Sequence, residues 1–358
     1  MPSLKDVAKL AGVSVSTVSA VVNNLDCVRP ATRNKVLAAI EEVGYIPNLS
    51  ARELVTRKKQ NIGLIRMVYE QTTTDENCVG GDGAISHAYY EYLNSIAEIF
   101  KTSGYGLLIE NFSYVPGSES LPKIVEQMRV DGVFVVGSLY TKDFIELLKT
   151  KVNTIVALGC FSELSDFVRS DYTESVAMAM RYLIGHGHRK IAYACGDTAT
   201  YAYPYKLLGY QMALQEAGIS FDPELLCESK FLSSEGYEVA AKIDRLHAEK
   251  RPTAVLFASD ILAAGGLQYY YQQGIHVPRD LSVMGYENLP FSDVYAPRLT
   301  SVDLHKDIMA KEACRIMFHR LKHQDSAPVG VVVPCSIAER DSVGTLPCVR
   351  TELDAHPL

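Results

Sequence analysis

Apolar positions near the start of the chain recur with a helical period. Around GVSVSTVSAVVNN (Gly12 to Asn24), Val18, Val21, Val22 and Leu25 fall at i, i+3, i+4 and i+7, which predicts the buried face of a helix. The other face carries Ser16, Ser19, Ala20 and Asn23. A solvated helix face is ordinarily rich in Lys and Glu, so a small, uncharged face full of short hydrogen-bonding groups suits close approach to something else. Upstream, LKDVAKLAG predicts a short helix with Val7, Ala8 and Leu10 inward, and Gly12 supplies the turn between two crossed helices. Ser14 is placed to cap the second helix, whose N-terminal end can then enter a DNA major groove. A plain two-helix corner in a core has the same periodicity. A third helix, 31–43, is predicted with Val36, Leu37, Ile40 and Val43 inward, Pro30 at its first turn and Gly44 at its end. Three helices in so short a stretch favour a small DNA-binding domain.

From Asn61 onward the pattern changes. IGLIRMV, GLLIEN, GVFVVG and TIVALG are short β-branched runs, separated by segments 89–103, 121–129 and 142–149 that read as helices. A second series follows: helix 173–186, strand KIAYACG, helix 206–217, strand AVLFAS, helix 261–273 and strand LSVMGYE. Two consecutive runs of alternating strand and helix predict two parallel-sheet α/β lobes. Ligands in such folds sit beyond the carboxyl ends of the strands, and with two lobes that place is the cleft between them.

Charge sharpens this division. Residues 1–60 hold nine Lys+Arg against five Asp+Glu, net +4, in a chain of net −7, so the remainder carries −11. Only the N-terminal segment has the sign that DNA attracts. The length of 358 residues allows a small domain plus a large bilobed core, and a hydrophobic content of 47% permits substantial burial. No apolar run reaches membrane-spanning length, and Lys5, Asp6 and Lys9 interrupt the first residues too early for a secretory signal, which predicts a cytoplasmic protein. The eight cysteines stand singly at 27, 78, 160, 195, 227, 314, 335 and 348, so neither a disulfide framework nor a zinc site is expected. His186 and His188 have no third ligand placed beside them and read as a helix end.

With these motifs in order, the chain resembles the LacI/GalR family of bacterial transcription regulators over nearly its full length. The head pattern is LKDVAKLAGVSVSTVSAVVNN with RNKVLAAIEEVGYIPNLSARELVT; the body pattern includes VDGVFVVG, YLIGHGHRKIAYACG, LLGYQMALQEAG, PTAVLFASDILAAGGLQ, GIHVPRDLSVMGYENLP, LTSVDL and ERDSV. The resemblance implies a helix-turn-helix domain at 1–47, a hinge helix and linker at 48–60, and a core at 61–343 shaped like a periplasmic sugar-binding protein, with a tail at 344–358. Lobe one is expected at about 61–160 and 290–325, and lobe two at about 161–289 and 326–343.

The resemblance places base-edge contacts on Val15, Ser16 and Ala20, and backbone contacts on Ser14, Thr17, Ser19, Asn23, Thr32, Tyr45 and Asn48. Ala20 departs from the basic or polar residue many relatives carry, which removes an Arg-to-guanine contact and leaves it either to touch a thymine methyl or to leave room for bulk. PNLSAREL puts Ala51, Arg52 and Leu54 within one short turn, too few residues to hold a helix alone. In the family, paired hinge helices enter the minor groove and a leucine kinks the duplex; Leu54 stands at that position.

For the effector, the resemblance implies Tyr89 and Tyr90 in ISHAYYEYL, Phe231 before SEGY, and Asp260 in ASDILA. Ring stacking and a carboxylate accepting protons suit a sugar and a nucleoside alike. Each aromatic could equally be core packing, and Asp260 could cap its helix as well as face the cleft. Lys206 stands where the family usually has Arg and offers a point charge instead of a fork, which favours an anionic ligand; otherwise Tyr201, Tyr203 and Tyr205 line the cleft. Residues 68–84 form an insertion whose glycines lack a following Gly-Lys-Ser/Thr, so a cleft-side loop is expected in preference to a phosphate loop.

The expected function is a ligand-responsive regulator, most often a repressor, that binds a pseudo-palindromic operator as a homodimer or tetramer, with a sugar, sugar derivative or nucleoside as effector. The alternatives are a soluble sugar-binding or sugar-modifying protein without specific DNA recognition, and a nonspecific DNA binder, which the acidic core opposes. No Ser/His/Asp, paired-carboxylate or Walker arrangement points to an enzyme, and no cofactor, metal or membrane partner is expected.

Overall fold

The computed structural model of the protein describes residues 2–22, 27–45, 59–68, 83–115, 117–137, 142–198, 200–323 and 327–346, with the backbone alone at 83–88. Met1–Lys59 and Gln60–Leu358 are two compact units.

The first unit contains α1 (Leu4–Ala11), α2 (Val15–Val22) and α3 (Pro30–Val43). Ser3 donates from both its N–H and its hydroxyl to Asp6 Oδ2, which fixes the start of α1. Gly12, at φ +66°, ends it in the left-handed conformation that glycine adopts most readily. Val7, Ala8, Val18, Val21, Val36 and Ala39 form the core. Leu10 and Leu37, expected inward, are 46% and 50% exposed; the buried stripe of α3 runs through Val36 and Ala39 instead.

The second unit holds two six-stranded sheets. The first has the order β11-β5-β4-β3-β1-β2, built from β1 (Asn61–Met67), β2 (Gly106–Phe112), β3 (Gly132–Val136), β4 (Thr154–Leu158), β5 (Asp166–Ser170) and β11 (Gly330–Val333). All its pairs are parallel. Helices α4 (Gly83–Phe100), α5 (Lys123–Glu126) and α6 (Lys142–Lys149) connect these strands. The second sheet has the order β12-β10-β9-β8-β6-β7, from β6 (Ile191–Gly196), β7 (Leu226–Glu228), β8 (Ala254–Phe257), β9 (Ser282–Tyr286), β10 (Thr300–Asp303) and β12 (Ser336–Ala338). Only β12 is antiparallel to its neighbour. Its helices are α7 (Tyr172–Gly185), α8 (Tyr203–Glu216), α9 (Ser233–Asp244) and α10 (Asp260–Gln272); α11 (Lys306–Arg320) packs into the core of lobe one. Strands β3, β4, β8 and β9 are buried along their whole length, as parallel strands covered on both faces must be.

Hydrogen-bonded pairing corrects the expected lobe boundaries. β5 pairs with β4 and so belongs to lobe one, whereas β10 pairs with β9 and belongs to lobe two. β11, expected in lobe two, closes the first sheet beside β5. Among the described residues the chain therefore crosses between lobes three times: after β5, after β10 and after β11. Among the described residues no helix is long and apolar enough to cross a membrane.

Candidate functional site

In the head unit, Ser14 Oγ accepts the Thr17 N–H at 3.1 Å and Ser14 O accepts the Val18 N–H at 3.1 Å, so Ser14 caps α2. Val18 and Val21 face the core while Ser14, Val15 and Ser16 are exposed and Thr17, Ser19 and Ala20 are half-buried beside them. Val15 is 41% exposed although burying it would favour folding. Lys5, Lys9, Arg29 and Lys35 are exposed on the same unit and contribute to its positive charge. Thr32 is half-buried in the first turn of α3, and Tyr45 packs against the head core. Asn23, Asn48, Ala51, Arg52 and Leu54 lie outside the described residues, as do residues 69–82 of the insertion.

In the second unit, a cavity of about 690 Å³, mouth included, opens between the lobes beyond the carboxyl ends of the strands. Tyr89 and Tyr92 of α4, Gly137 after β3 and Gly159 after β4 line it from lobe one. Thr200, Lys206, Phe231, Tyr286 and Glu287 line it from lobe two, with Tyr172 and Leu304 at two of the crossovers. The walls are aromatic, but most of the polar ends are already occupied. The Tyr172 hydroxyl donates to Gly159 O, Tyr286 Oη and Ser175 Oγ share a hydrogen bond of 2.7 Å, Tyr92 Oη donates to Met309 Sδ at 3.4 Å, and Thr200 Oγ1 donates to Asp197 O at 2.9 Å. The Tyr89 hydroxyl is buried with no hydrogen-bond partner, and so is Glu287 Oε2. Burial pushes the Tyr89 phenol up to about 12, against the pull of Arg66, so it stays a donor at neutral pH. Phe231 reaches the cavity because residue 196 is glycine, where a Cβ would lie 2.5 Å from the ring.

Lys206 is buried, 6% exposed, and its Nζ donates to Ala258 O at 3.2 Å while sitting 3.9 Å from the Tyr286 ring centroid and 5.9 Å from that of Phe231. Burial pulls the Lys206 ammonium down and pushes the Glu287 carboxyl up, and in each case the opposite charge of the other opposes the shift. The cavity thus combines ring faces with a buried cation, a buried carboxyl and two unmet polar atoms. That set can stack a ring, accept its hydroxyl or N–H protons and face a negative or carbonyl oxygen.

Of the expected effector residues, the structure brings Tyr89, Lys206 and Phe231 together. Tyr90 is not in the cavity wall; it is 51% exposed and meets Tyr89 edge-on at 5.7 Å. Tyr201, Tyr203 and Tyr205 do not line it either. Asp260 must be corrected from effector contact to internal brace. It is fully buried, and its carboxylate accepts from Leu289 N–H at 2.7 Å, Ser292 Oγ at 2.7 Å and Ser301 Oγ at 2.6 Å. Burial raises its pKa to about 6 against these bonds. Asp260→Ala would strand three buried donors and is expected to cost about 3 kcal/mol or more of stability. Asp260→Asn should cost much less, because the amide oxygen keeps Leu289 and Ser292 while its NH2 donates to Ser301 Oγ. Denaturant melts of both variants check this; equal losses would contradict it.

Sequence reasoning misses Tyr92, Tyr172, Thr200 and Tyr286 as lining residues, and Glu287 as the one with an ionisable carboxyl. Glu287 is the first residue after the buried strand SVMGY, so the strand-end rule that selects Asp260 selects it as well. His186 caps the end of α7, and His188 is buried between Thr253 Oγ1 at 2.9 Å and Gly344 O at 3.0 Å. Among the described residues no group of three or more His, Cys, Asp or Glu is placed to hold a metal ion.

Known proteins resemble both units. The family described as bacterial regulatory proteins, lacI family, matches residues 3–48, and a periplasmic binding protein-like domain matches residues 180–343. The HTH-type transcriptional repressor PurR of Histophilus somni (strain 129Pt) is 31% identical over 350 residues, covering 97% of this chain and all of the relative. The structure of a transcriptional regulator CelR–cellobiose complex, 26% identical, aligns over 96% of this chain and 100% of its own with a TM-score of 0.66. The lac repressor dimer bound to operator and the anti-inducer ONPF shares the fold at 23% identity and a TM-score of 0.78, over 96% of this chain and 99% of that one.

Proposed function

The chain belongs to the lacI family of bacterial regulatory proteins and is a ligand-responsive transcription repressor; from that premise we propose that a small molecule in the inter-lobe cavity sets how tightly the head holds a pseudo-palindromic operator. The protein acts as a homodimer, since two copies of one head match the two halves of such a site. The outward face of α2, with Val15, Ser16 and Ala20, reads base edges, and Ser14, Thr17, Ser19, Thr32 and Tyr45 hold the backbone. Asn23, Asn48, Ala51, Arg52 and Leu54 are assigned to DNA by family resemblance alone. A protein that works on chromosomal DNA acts in the cytoplasm.

The observation that carries the effector reading is the cavity itself, where Tyr89 Oη and Glu287 Oε2 are buried without partners among aromatic rings. Unmet buried polar atoms are costly, and a ligand that supplies their partners recovers that cost. A sugar, a sugar derivative or a nucleoside has the ring and the hydroxyls to do so. Lys206 adds a preference for an anionic or carbonyl-bearing member of that group, at the cost of the bidentate geometry an arginine would give. A thermal-shift screen of sugars, sugar acids, sugar phosphates and nucleosides tests this, because a ligand that binds only the folded state raises the melting temperature. A hit whose shift survives Lys206→Met and Glu287→Gln unchanged would place the ligand elsewhere.

A further inference from the structure

Lys306 is the first residue of α11, and its side chain is 4% exposed. Both features are unfavourable for a cation, since the helix N-terminus is itself positive and burial strips water from the ammonium. A methionine of similar length would fill the site without either cost. What the charge holds explains its presence. Nζ lies 2.7 Å from Glu91 Oε2 on α4 and also donates to the backbone carbonyl of Glu287. Glu287 has φ +102°, a backbone conformation that side-chain-bearing residues rarely adopt, and it is in this conformation that it lines the cavity. Such strain persists only where neighbours over-determine it. Three amide bonds fix the same turn from the other side: Glu287 N to Val302 O at 2.8 Å, Asn288 N to Ser301 Oγ at 3.0 Å and Leu289 N to Asp260 Oδ2 at 2.7 Å.

We propose that Lys306 is a positioning residue that ties the cavity carboxyl of lobe two to helix α4 of lobe one, through its paired contacts with Glu287 O and Glu91. The link lies on the crossover after β10, between Leu304, which lines the cavity, and the body of α11. α4 also carries Tyr89 and Tyr92, so both walls of the cavity share one buried ammonium. A ligand that moves Glu287 or Tyr89 then has a direct mechanical route to the other lobe. The same charge placed elsewhere on α11 would have no such reach.

This inference rests on the cavity being the effector site, but its test needs neither effector nor DNA. Amide hydrogen exchange is measured by mass spectrometry on the full chain in the wild type and in Lys306→Met, Lys306→Arg and Glu91→Gln. Lys306→Met is expected to speed exchange at residues 287–289 and along residues 90–96 together, by about fivefold or more, the lower end of couplings between sites. Lys306→Arg should restore both segments towards wild type. Glu91→Gln should speed exchange at 287–289 although Glu91 does not touch them, and it keeps the proposal testable if Lys306→Met fails to fold. Faster exchange confined to the segment around the mutated residue, or a uniform increase across the whole second unit, overturns the proposal.

Discussion

Removing residues 1–59 abolishes operator binding and leaves the cavity able to bind its ligand. The expectation follows from the division of the chain at Lys59, the separate core of the first unit, and the opposite signs of charge on the two units. The chain from residue 61 onward carries −11, so without the head it repels the phosphate backbone instead of holding it. Loss of the head should therefore cost at least the gap between specific and nonspecific binding, about 10³-fold or more. Thermal shift on the fragment with any ligand of the full chain checks the other half. A fragment that still binds the operator tightly, or that no longer binds the ligand, contradicts the assignment of tasks to the two units.

The second large effect is expected at Lys206. Lys206→Met removes the ammonium that lines the cavity and leaves Glu287 buried without its balancing charge, so ligand affinity should fall by about 1.5–3 kcal/mol, roughly 10- to 150-fold. Glu287→Gln should weaken binding of a ligand that donates to the carboxylate, and it should also change the pH profile. Because burial holds the Glu287 pKa above the ordinary carboxylate range, acidification converts one accepting oxygen into a donor and discharges the group well before a normal glutamate would titrate. Wild-type affinity is thus expected to decline as pH falls through the neutral range, and Glu287→Gln to lose that decline. Calorimetry across pH 5.5 to 8.5, taken as an approximate window around these shifted groups, separates the two. A flat wild-type profile would show that the ionised carboxylate does not touch the ligand.

The strongly periodic stretches of this fold were legible in the residues. Strands such as GVFVV and TIVAL are continuous apolar runs because helices cover both their faces, and α2 shows its buried Val18 and Val21 on one side and its hydroxyls on the other. Lobe membership was not legible at the crossovers, because Asp166–Ser170 and Thr300–Asp303 each stay beside the preceding strand while Gly330–Val333 and Ser336–Ala338 each join a sheet whose strands are distant in sequence, and nothing in the strands' own residues tells the two cases apart. The same limit separated Asp260 from Glu287. Both are carboxylates beyond the end of a central strand, and only the packing of Ser292, Ser301 and the Leu289 amide around one of them decides which faces inward. The tyrosines were visible as aromatic positions, yet which hydroxyl is left for a ligand depends on contacts such as Ser175 with Tyr286 and Gly159 with Tyr172. Lys206 was legible for the opposite reason, as a single departure from a pattern its neighbours keep.

If occupancy of the cavity sets the affinity of the head for DNA, the operator Kd must move with the ligand. The most direct test is fluorescence anisotropy of the full chain on an operator recovered by selection from random DNA, at one salt concentration, with and without the strongest stabilising compound from the thermal-shift screen, in wild type and Lys206→Met side by side. The compound is expected to change the wild-type operator Kd by about fivefold or more, to leave the weak binding to random DNA unaltered, and to have little effect on Lys206→Met at the same concentration. A compound that stabilises the fold yet leaves the operator Kd where it was, or shifts it equally in Lys206→Met, would contradict control of the head by the cavity.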